Sequence, residues 1–208
     1  MRDSPAGPAL EPLPGLKLWP GRLDLSAQTA LRDAVLAALE AAPPYRPVTP
    51  GGRPMSVRMS NLGPLGWVTD AAGGYRYQPT HPQTGRPWPP IPLALLDLWA
   101  QHADPDRPPD ACLVNLYDGD ARMGLHQDRD EADLTAPVLS VSLGDTAVFR
   151  FGPAGGGPTR SLRLASGDVL VLSGPARLCR HGVDRLLPGS SRLLPGGGRL
   201  NLTLRRAG

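Results

Sequence analysis

Apolar side chains recur at helical spacing in two segments of the first half of the chain. From Ser26 to Ala41 the leucine and valine positions fall on one face of a helix, with Ser26 as its N-cap. Pro43-Pro44 ends this helix, because proline lacks a backbone donor and clashes with the preceding turn. A shorter apolar face predicts a second helix from Pro92 to Ala103. Between the helices, residues 46–90 are rich in proline, glycine and aromatics, which predicts short strands and loops that fold over another part of the protein.

Beyond Ala111 the apolar positions alternate with period two, which is the pattern of half-buried strands. Six or more short strands separated by turn residues are typical of an antiparallel sandwich or jelly roll. The expected fold class is therefore mainly β (α+β), and no internal repeat is evident. The Pro/Gly-rich loops 153–158 and 185–198 have no predicted role. The predicted strands are Ala111–Tyr117, Val138–Leu143, Ala147–Phe151, Ser161–Leu164, Asp168–Leu172 and Arg199–Arg205.

Composition bounds the class of protein and its partners. A chain of 208 residues with 40% hydrophobic content is long enough for one domain with a substantial core. No apolar run is long enough to span a bilayer, and residues 1–14 lack the order of a secretory signal, so we expect a cytoplasmic protein without a membrane partner. In that reducing compartment Cys112 and Cys179 are expected to be buried thiols. A net charge of +3 permits a polyanionic partner without requiring one.

A His-x-Asp pair and one distant histidine form a candidate metal site. His126, Asp128 and His181 together supply two imidazoles and one carboxylate, the ligand set that holds non-haem Fe(II) and leaves positions open for oxygen chemistry. If residues 126–130 are extended, Asp130 lies on the same face, one step beyond the metal. Taken alone, such a short motif is more often a solvated turn.

The last predicted strand strengthens the metal interpretation. Arg199, Asn201, Thr203 and Arg205 occupy one face and three leucines the other. Two arginines on an interior face would be costly without partners, and a dicarboxylate ligand would pair with both. Asn115 and Tyr117 share a face of another strand and offer an amide and a phenol. The alternative is an exposed sheet face with solvated arginines.

These motifs, in this order, resemble the AlkB family of Fe(II)/2-oxoglutarate-dependent dioxygenases. The resemblance rests on N-x-Y at Asn115–Tyr117, H-x-D-x-D at His126–Asp130, the single later His181, and R-x-N-x-T-x-R at Arg199–Arg205. It covers nearly all of the chain from about Trp19 onward. It implies a double-stranded β-helix, or jelly roll, with N-terminal helices and a substrate-recognition lid. It also implies oxidative demethylation of N-alkylated bases, with succinate, CO2 and an aldehyde as products.

The resemblance also implies boundaries and roles. Residues 1–208 would form one dioxygenase domain, with 1–44 as an N-terminal extension and helix, 45–90 as a nucleotide-recognition lid and 91–208 as the jelly-roll core. Fe(II) would be held by His126, Asp128 and His181, with O2 as co-substrate. The co-substrate 2-oxoglutarate would be held by Asn115, Tyr117, Arg199, Asn201 and Arg205. Substrate contacts would come from Trp67, Tyr75, Tyr77, Asp130, Met59 and Arg129.

The implied substrate fits the chemistry of these side chains. N1-methyladenine and N3-methylcytosine are cationic, so an aromatic face attracts them by roughly 0.5–2 kcal/mol, and the Asp130 carboxylate can accept a hydrogen bond from their amino group. A base inside a duplex must be flipped out to react. We therefore expect alkylated DNA as the partner, with single strands preferred and RNA as a further candidate substrate, and a monomeric enzyme.

One segment departs from the family, and two other functions stay open. Residues 153–158 are Pro-Ala-Gly-Gly-Gly-Pro where the family carries basic residues that contact DNA, so Arg53, Arg58, Arg76 and Arg129 are the substitutes considered. One alternative is a hydroxylase that uses the same cofactors on a substrate other than nucleic acid. The other is an inactive jelly-roll binding module.

Overall fold

The structure, a computed structural model, describes residues 7–208; residues 1–6 of the predicted N-terminal extension lie outside the described part. Two α-helices, α1 (Leu25–Ala41) and α2 (Leu93–His102), accompany a set of short strands. The strands are β1 (Leu10–Leu13), β2 (Leu16–Trp19), β3 (Arg58–Leu62), β4 (Gly66–Asp70), β5 (Gly74–Gln78), β6 (Ala111–Tyr117), β7 (Met123–His126), β8 (Val138–Gly144), β9 (Thr146–Gly152), β10 (Arg160–Leu164), β11 (Val169–Leu172), β12 (Arg180–Leu187) and β13 (Arg199–Arg205).

The strands form two main sheets, which confirms the predicted jelly roll. The large sheet has seven strands in the order β1-β2-β11-β8-β13-β6-β3, and the small sheet has four in the order β10-β9-β12-β7. Each pairing between these strands is antiparallel. Strands β4 and β5 form a separate two-stranded hairpin.

The side chains of β13 alternate between a hydrophobic layer on one face and the space between the two sheets on the other. Its leucines, Leu200, Leu202 and Leu204, pack in one cluster with buried side chains of α1 and α2. The polar residues of the same strand face the space between the two sheets, beside Phe149 of the small sheet. The leucine layer therefore fastens the helices to the large sheet, and the polar face is free to line an interior site.

Helix α1 begins one residue before the predicted start, and the predicted cap is wrong. Asp24 is the N-cap, with its carboxylate accepting a hydrogen bond of 2.8 Å from the backbone N–H of Ala27. Ser26 lies inside the first turn. The carboxylate of Asp24 satisfies an N–H that the helix itself cannot, so the helix starts where this side chain is available.

Residues 185–187, which were predicted to lie in the loop 185–198, belong to a β-strand. Strand β12 runs through Leu187 and pairs with β9, so only the residues after it form a loop. That loop is held by the buried carboxylate of Asp145, which accepts from the backbone N–H groups of Ser191 at 3.1 Å and Gly198 at 2.9 Å. These contacts give it a structural role.

The ranges assigned to the extension and the lid each contribute to the large sheet. Strand β2 pairs with β11, and β3 pairs with β6 at the sheet edge. Within residues 45–90 it is the β4–β5 hairpin that stands apart from both sheets. In the described part of the chain, neither helix is long and apolar enough to cross a membrane.

Candidate active site

The structure brings the three predicted metal ligands together at one end of the small sheet. His126 ends β7 and is the direct cross-strand partner of His181 on β12, and the imidazole centroids are 4.5 Å apart. Asp128 lies in the irregular segment that follows β7. One ligand atom from each of the three residues falls within 4.8 Å of the others. Such a cluster can bind a single ion on one face.

Hydrogen bonds orient both imidazoles. The Nδ1 atom of His126 lies 2.9 Å from the carbonyl of Gly124, and Nδ1 of His181 lies 3.1 Å from the carbonyl of Cys179. An N–H at each Nδ1 fixes the tautomer in which Nε2 carries a free lone pair. The Nε2 atoms are 3.7 and 3.8 Å from the carboxylate oxygens of Asp128. The Nε2 lone pairs of the two histidines and the Asp128 carboxylate therefore lie close enough together to bind one metal ion.

Burial and neighbouring charge set the protonation states that metal binding requires. Burial lowers the pKa of His181 to about 4, so its imidazole is neutral at neutral pH. Burial by itself raises the pKa of Asp128, but the charge and hydrogen bond of Arg205, together with the neighbouring imidazoles of His181 and His126, hold the pKa of the carboxyl below its usual range. One carboxylate oxygen of Asp128, Oδ2, is buried without a hydrogen-bond partner. A divalent cation would satisfy that oxygen.

The two arginines of β13 differ in their partners. The Nη2 atom of Arg205 donates to Asp128 Oδ1 at 2.9 Å, and its Nε lies 3.3 Å from Glu131 Oε1. Arg199 donates from Nη2 to Ser142 at 3.0 Å, while its buried Nε and Nη1 have no hydrogen-bond partner. Its guanidinium carbon lies 5.3 Å from the centroid of the Tyr117 ring. Arg205 Nε also makes no hydrogen bond, but it is within ion-pair range of Glu131. The buried donors with no carboxylate nearby, which an anionic ligand would satisfy, therefore belong to Arg199.

An inner cavity of about 70 Å³ connects this arginine to the metal cluster. Asn115 Oδ1 is buried in its wall without a hydrogen-bond partner. The amide of Asn201 donates to Ser140 at 2.6 Å, so this side chain is already held by the protein. The residues predicted to hold 2-oxoglutarate all line this cavity, together with the three candidate metal ligands: Asn115, Tyr117, Arg199, Asn201, Arg205, His126, Asp128 and His181.

A second, outer cavity of about 360 Å³ also reaches the metal cluster, because His126 and Asp128 are among its lining residues. Its walls further include Met59, Trp67, Tyr75 and Asp130. This volume is in the usual range for a small-molecule site. The methionines lining it are Met55, Met59 and Met123.

Trp67 holds two of the outer cavity's side chains in place. Its ring stacks on Tyr75 at a centroid distance of 5.6 Å, and its indole Nε1 donates to Asp130 Oδ2 at 2.7 Å. The cross-strand register places Trp67 opposite Tyr77, so the three aromatics lie on one face of the β4–β5 hairpin.

Two predicted substrate residues lie elsewhere. Tyr77 is not among the described residues that line the outer cavity, and its hydroxyl donates to Glu131 Oε1 at 2.7 Å. Burial raises the pKa of Tyr77 well above its usual range, so the phenol remains a donor. Arg129 is exposed, lies between Asp128 and Asp130 in the chain, and is likewise not among the described residues that line the outer cavity.

Sequence reasoning missed two buried charged residues, Glu131 and Arg177. Glu131 accepts from Arg177 at 3.0 Å, and both side chains are nearly inaccessible to solvent. A signal for Glu131 was present, since it continues the acidic run that starts at Asp128. Arg177 follows a Ser-Gly-Pro-Ala turn that carries no recognisable motif.

Comparison with known proteins agrees with this geometry. A family model described as the 2OG-Fe(II) oxygenase superfamily matches residues 15–205. An "Alpha-ketoglutarate-dependent dioxygenase AlkB homolog" of Caulobacter vibrioides is 66% identical over 196 residues, 94% of this chain and 89% of that protein. The chain belongs to the AlkB family of Fe(II)/2-oxoglutarate-dependent dioxygenases.

Two further AlkB-family relatives extend the comparison. The solved structure titled "The structure of OsALKBH1" aligns with a TM-score of 0.78 at 32% identity, covering 96% of this chain and 100% of that one. A "DNA N(6)-methyladenine demethylase ALKBH1D" of Arabidopsis thaliana is 40% identical over 128 residues, 54% of this chain and 29% of that protein. The family and the His126–Asp128–His181 cluster of this AlkB-family chain fit iron and 2-oxoglutarate.

Proposed function

We propose that this protein removes methyl groups from N1-methyladenine and N3-methylcytosine in DNA, using Fe(II), O2 and 2-oxoglutarate and releasing succinate, CO2 and formaldehyde. One observation carries the proposal: His126 and Asp128 line both the inner and the outer cavity. A metal at this junction would touch a carboxylate-binding cavity on one side and an aromatic cavity on the other.

The residues around the inner cavity would bind Fe(II) and the co-substrate 2-oxoglutarate. Fe(II) would bind to His126 Nε2, His181 Nε2 and the Asp128 carboxylate, and with 2-oxoglutarate and O2 it supplies the oxidant that hydroxylates the methyl carbon. The unpaired Nε and Nη1 of Arg199 would receive one carboxylate of 2-oxoglutarate. Asn115 and Tyr117 border the same space and would complete its polar contacts.

The outer cavity would bind the methylated base. Trp67 and Tyr75 offer aromatic faces to a cationic methylated base, an attraction worth roughly 0.5–2 kcal/mol. Asp130 keeps one carboxylate oxygen on the indole of Trp67 and has the other available for an exocyclic amino group. The repaired base is neutral and loses the charge-dependent part of this attraction, which favours its release.

Arginines near the outer cavity would contact the phosphate groups of the nucleic-acid backbone. Arg58 and Arg76 are engaged in ion pairs with Asp118 and Asp70, both at 2.8 Å or less. Arg53 and Arg129 are exposed and have no ion pair among the described residues, which leaves both available as phosphate contacts. A single strand presents an unpaired base at no unpairing cost, so single-stranded DNA is the proposed preference, with RNA as a further substrate and a monomer as the working unit.

The proposal is tested by following co-substrate turnover. Anaerobic addition of Fe(II) and 2-oxoglutarate should give a weak visible charge-transfer band, and an N1-methyladenine oligonucleotide should stimulate succinate release in air. His126→Ala should lose both, because the metal loses a ligand. Unchanged succinate release by His126→Ala would refute the assignment of the site.

A further inference from the structure

The segment between β7 and β8 contains the residues of the site whose positions must be most precise. No strand pairing holds this segment in place. Residues 127–137 are irregular, yet they include Asp128 and Asp130. The metal requires the Asp128 carboxylate at a fixed position relative to His126 and His181. Some other part of the protein must therefore fix this segment.

Arg177 contacts the segment at three separate points. Its Nη1 donates to the main-chain carbonyl of Asp128 at 2.9 Å, its Nε to the carbonyl of Ala136 at 2.6 Å, and its Nη2 to Glu131 Oε2 at 3.0 Å. The side chain is 3% exposed, so these bonds do not compete with water. One planar guanidinium thus spans the segment from its metal-ligand end to the start of β8.

The position of Arg177 in the chain connects the two halves of the metal site. It lies four residues before His181, in the turn that leads into β12. Cys179, between them, offers its carbonyl to His181 Nδ1. The amide of Gln127 also donates to the carbonyl of Leu178. The turn therefore touches the backbone of one metal ligand and the imidazole of another.

Glu131 extends the connection to both cavities. Its Oε2 pairs with Arg177, while its Oε1 accepts from the Tyr77 hydroxyl and lies 3.3 Å from Arg205 Nε. Tyr77 belongs to the hairpin that walls the outer cavity. Two buried carboxylates, Asp128 and Glu131, are thereby balanced by two buried guanidinium groups.

We propose that Arg177 is the positioning residue of the iron site, holding the Asp128 backbone at a fixed distance from His181. The proposal rests on the proposed function for the identity of the metal, and otherwise on these contacts alone. An arginine is required because a lysine has a single nitrogen, which cannot reach three acceptors spread over residues 128–136. Changing groups that orient metal ligands typically costs roughly 10–100-fold in metal affinity.

The test is Fe(II) binding by Arg177→Lys, measured anaerobically by titration calorimetry in the absence of 2-oxoglutarate and DNA. The expected result is a Kd about 10–100-fold weaker than wild type. Arg150→Lys is the matched control, since Arg150 pairs with Asp184 at 2.8 Å with its side chain 40% exposed. That variant should bind Fe(II) like wild type.

A second measurement separates positioning from general stability. Arg129 is exposed within the segment, so trypsin reports on its motion. Cleavage after Arg129 should be faster in metal-free Arg177→Lys than in wild type, at a temperature where far-UV circular dichroism shows both folded. Added Mn(II) should suppress the cleavage in wild type more than in the variant.

The outcomes are distinguishable. Wild-type affinity and wild-type cleavage in Arg177→Lys, with Fe(II) bound by the wild type, would overturn the role of Arg177 and leave the proposed function intact. A wild type that binds no Fe(II) would overturn both. If Arg177→Lys does not fold, Glu131→Gln removes the anionic partner of Arg177 while keeping its shape, and the same weakening of Fe(II) binding is expected; equal affinity there would overturn the proposal.

Discussion

At the scale of residues, side chains on one face of one strand have different tasks. Arg199 and Arg205 both point between the sheets from β13, and both were expected to need an external dicarboxylate. The structure gives Arg205 two protein carboxylates, Asp128 and Glu131, and leaves Arg199 with unpaired buried donors. Alternation in the sequence predicts the shared face, but not which arginine is paired, because Glu131 comes from a segment without a periodic pattern.

Substitution of these two arginines should have opposite effects on stability. Arg199→Met removes buried donors that lack partners, so the unfolding free energy without ligand should stay constant or rise by about 1–2 kcal/mol. Arg205→Met leaves two buried carboxylates without their cation and should lower it by about 3–5 kcal/mol. Urea denaturation of the metal-free proteins measures both.

Arg199→Met should also weaken 2-oxoglutarate binding by about 100-fold, because two charge-assisted hydrogen bonds of roughly 1.5 kcal/mol each are lost. Titration of the variant with 2-oxoglutarate in the presence of Mn(II) measures this. Wild-type affinity would show that the unpaired donors of Arg199 do not meet the co-substrate.

Trp67→Phe separates stacking from hydrogen bonding at the base cavity. The phenyl ring keeps an aromatic face but loses the N–H that holds Asp130 at 2.7 Å. Selectivity for N1-methyladenine over N3-methylthymine, which lacks an exocyclic amine, should fall about 3–10-fold, since a hydrogen bond to a charged group is worth roughly 1.5–3 kcal/mol and part of it is recovered from water. In an Asp130→Ala background the same change should leave selectivity unaltered; an equal loss there would contradict this coupling.

At the scale of elements, alternation predicts β6, β8, β11 and β13 of the large sheet and β9 and β10 of the small sheet, but neither β1 and β2 nor the small-sheet strands β7 and β12. Strand β13 has the predicted bounds, because each second residue is a leucine packed on the helices. Strands β7 and β12 carry two metal ligands, but each contains a glycine and short apolar stretches that break the pattern. Their pairing is fixed by long-range contacts, which a local pattern does not contain.

Gly182 shows what this pairing requires. A Cβ at Gly182 would lie 2.5 Å from the carbonyl oxygen of Met123 and 2.8 Å from that of Gly124, so β12 approaches β7 at a distance that admits no side chain. Gly182→Ala should push the strands apart, lower the unfolding free energy by about 1–3 kcal/mol and weaken Fe(II) binding by about tenfold.

Gly124→Ala is the control for this change, since a Cβ there meets nothing within 4 Å. Thermal unfolding and metal titration should show it close to wild type. Equal behaviour of the two alanine variants would contradict the close approach of β7 and β12.

At the scale of the whole molecule, the fold brings two cavities to a single metal cluster. The large sheet supplies the inner cavity through β6 and β13, the small sheet supplies the two histidines, and the β4–β5 hairpin supplies the aromatics of the outer cavity. The sequence predicted the jelly roll and the arginine face from alternation, and the metal cluster from a set of motifs whose order along the chain resembles the AlkB family. The buried contacts of Arg177 and Glu131 have none, since they connect segments 46 residues apart.

The account is tested most directly by mass spectrometry of a single-stranded oligonucleotide that carries one N1-methyladenine, after incubation with the protein, Fe(II), 2-oxoglutarate and ascorbate in air. The expected result is loss of one methyl group, with one equivalent of succinate formed, and no loss when iron or 2-oxoglutarate is omitted or when His126→Ala replaces the wild type. An oligonucleotide of unchanged mass beside active succinate formation, or a loss of methyl that persists without 2-oxoglutarate, would contradict the account.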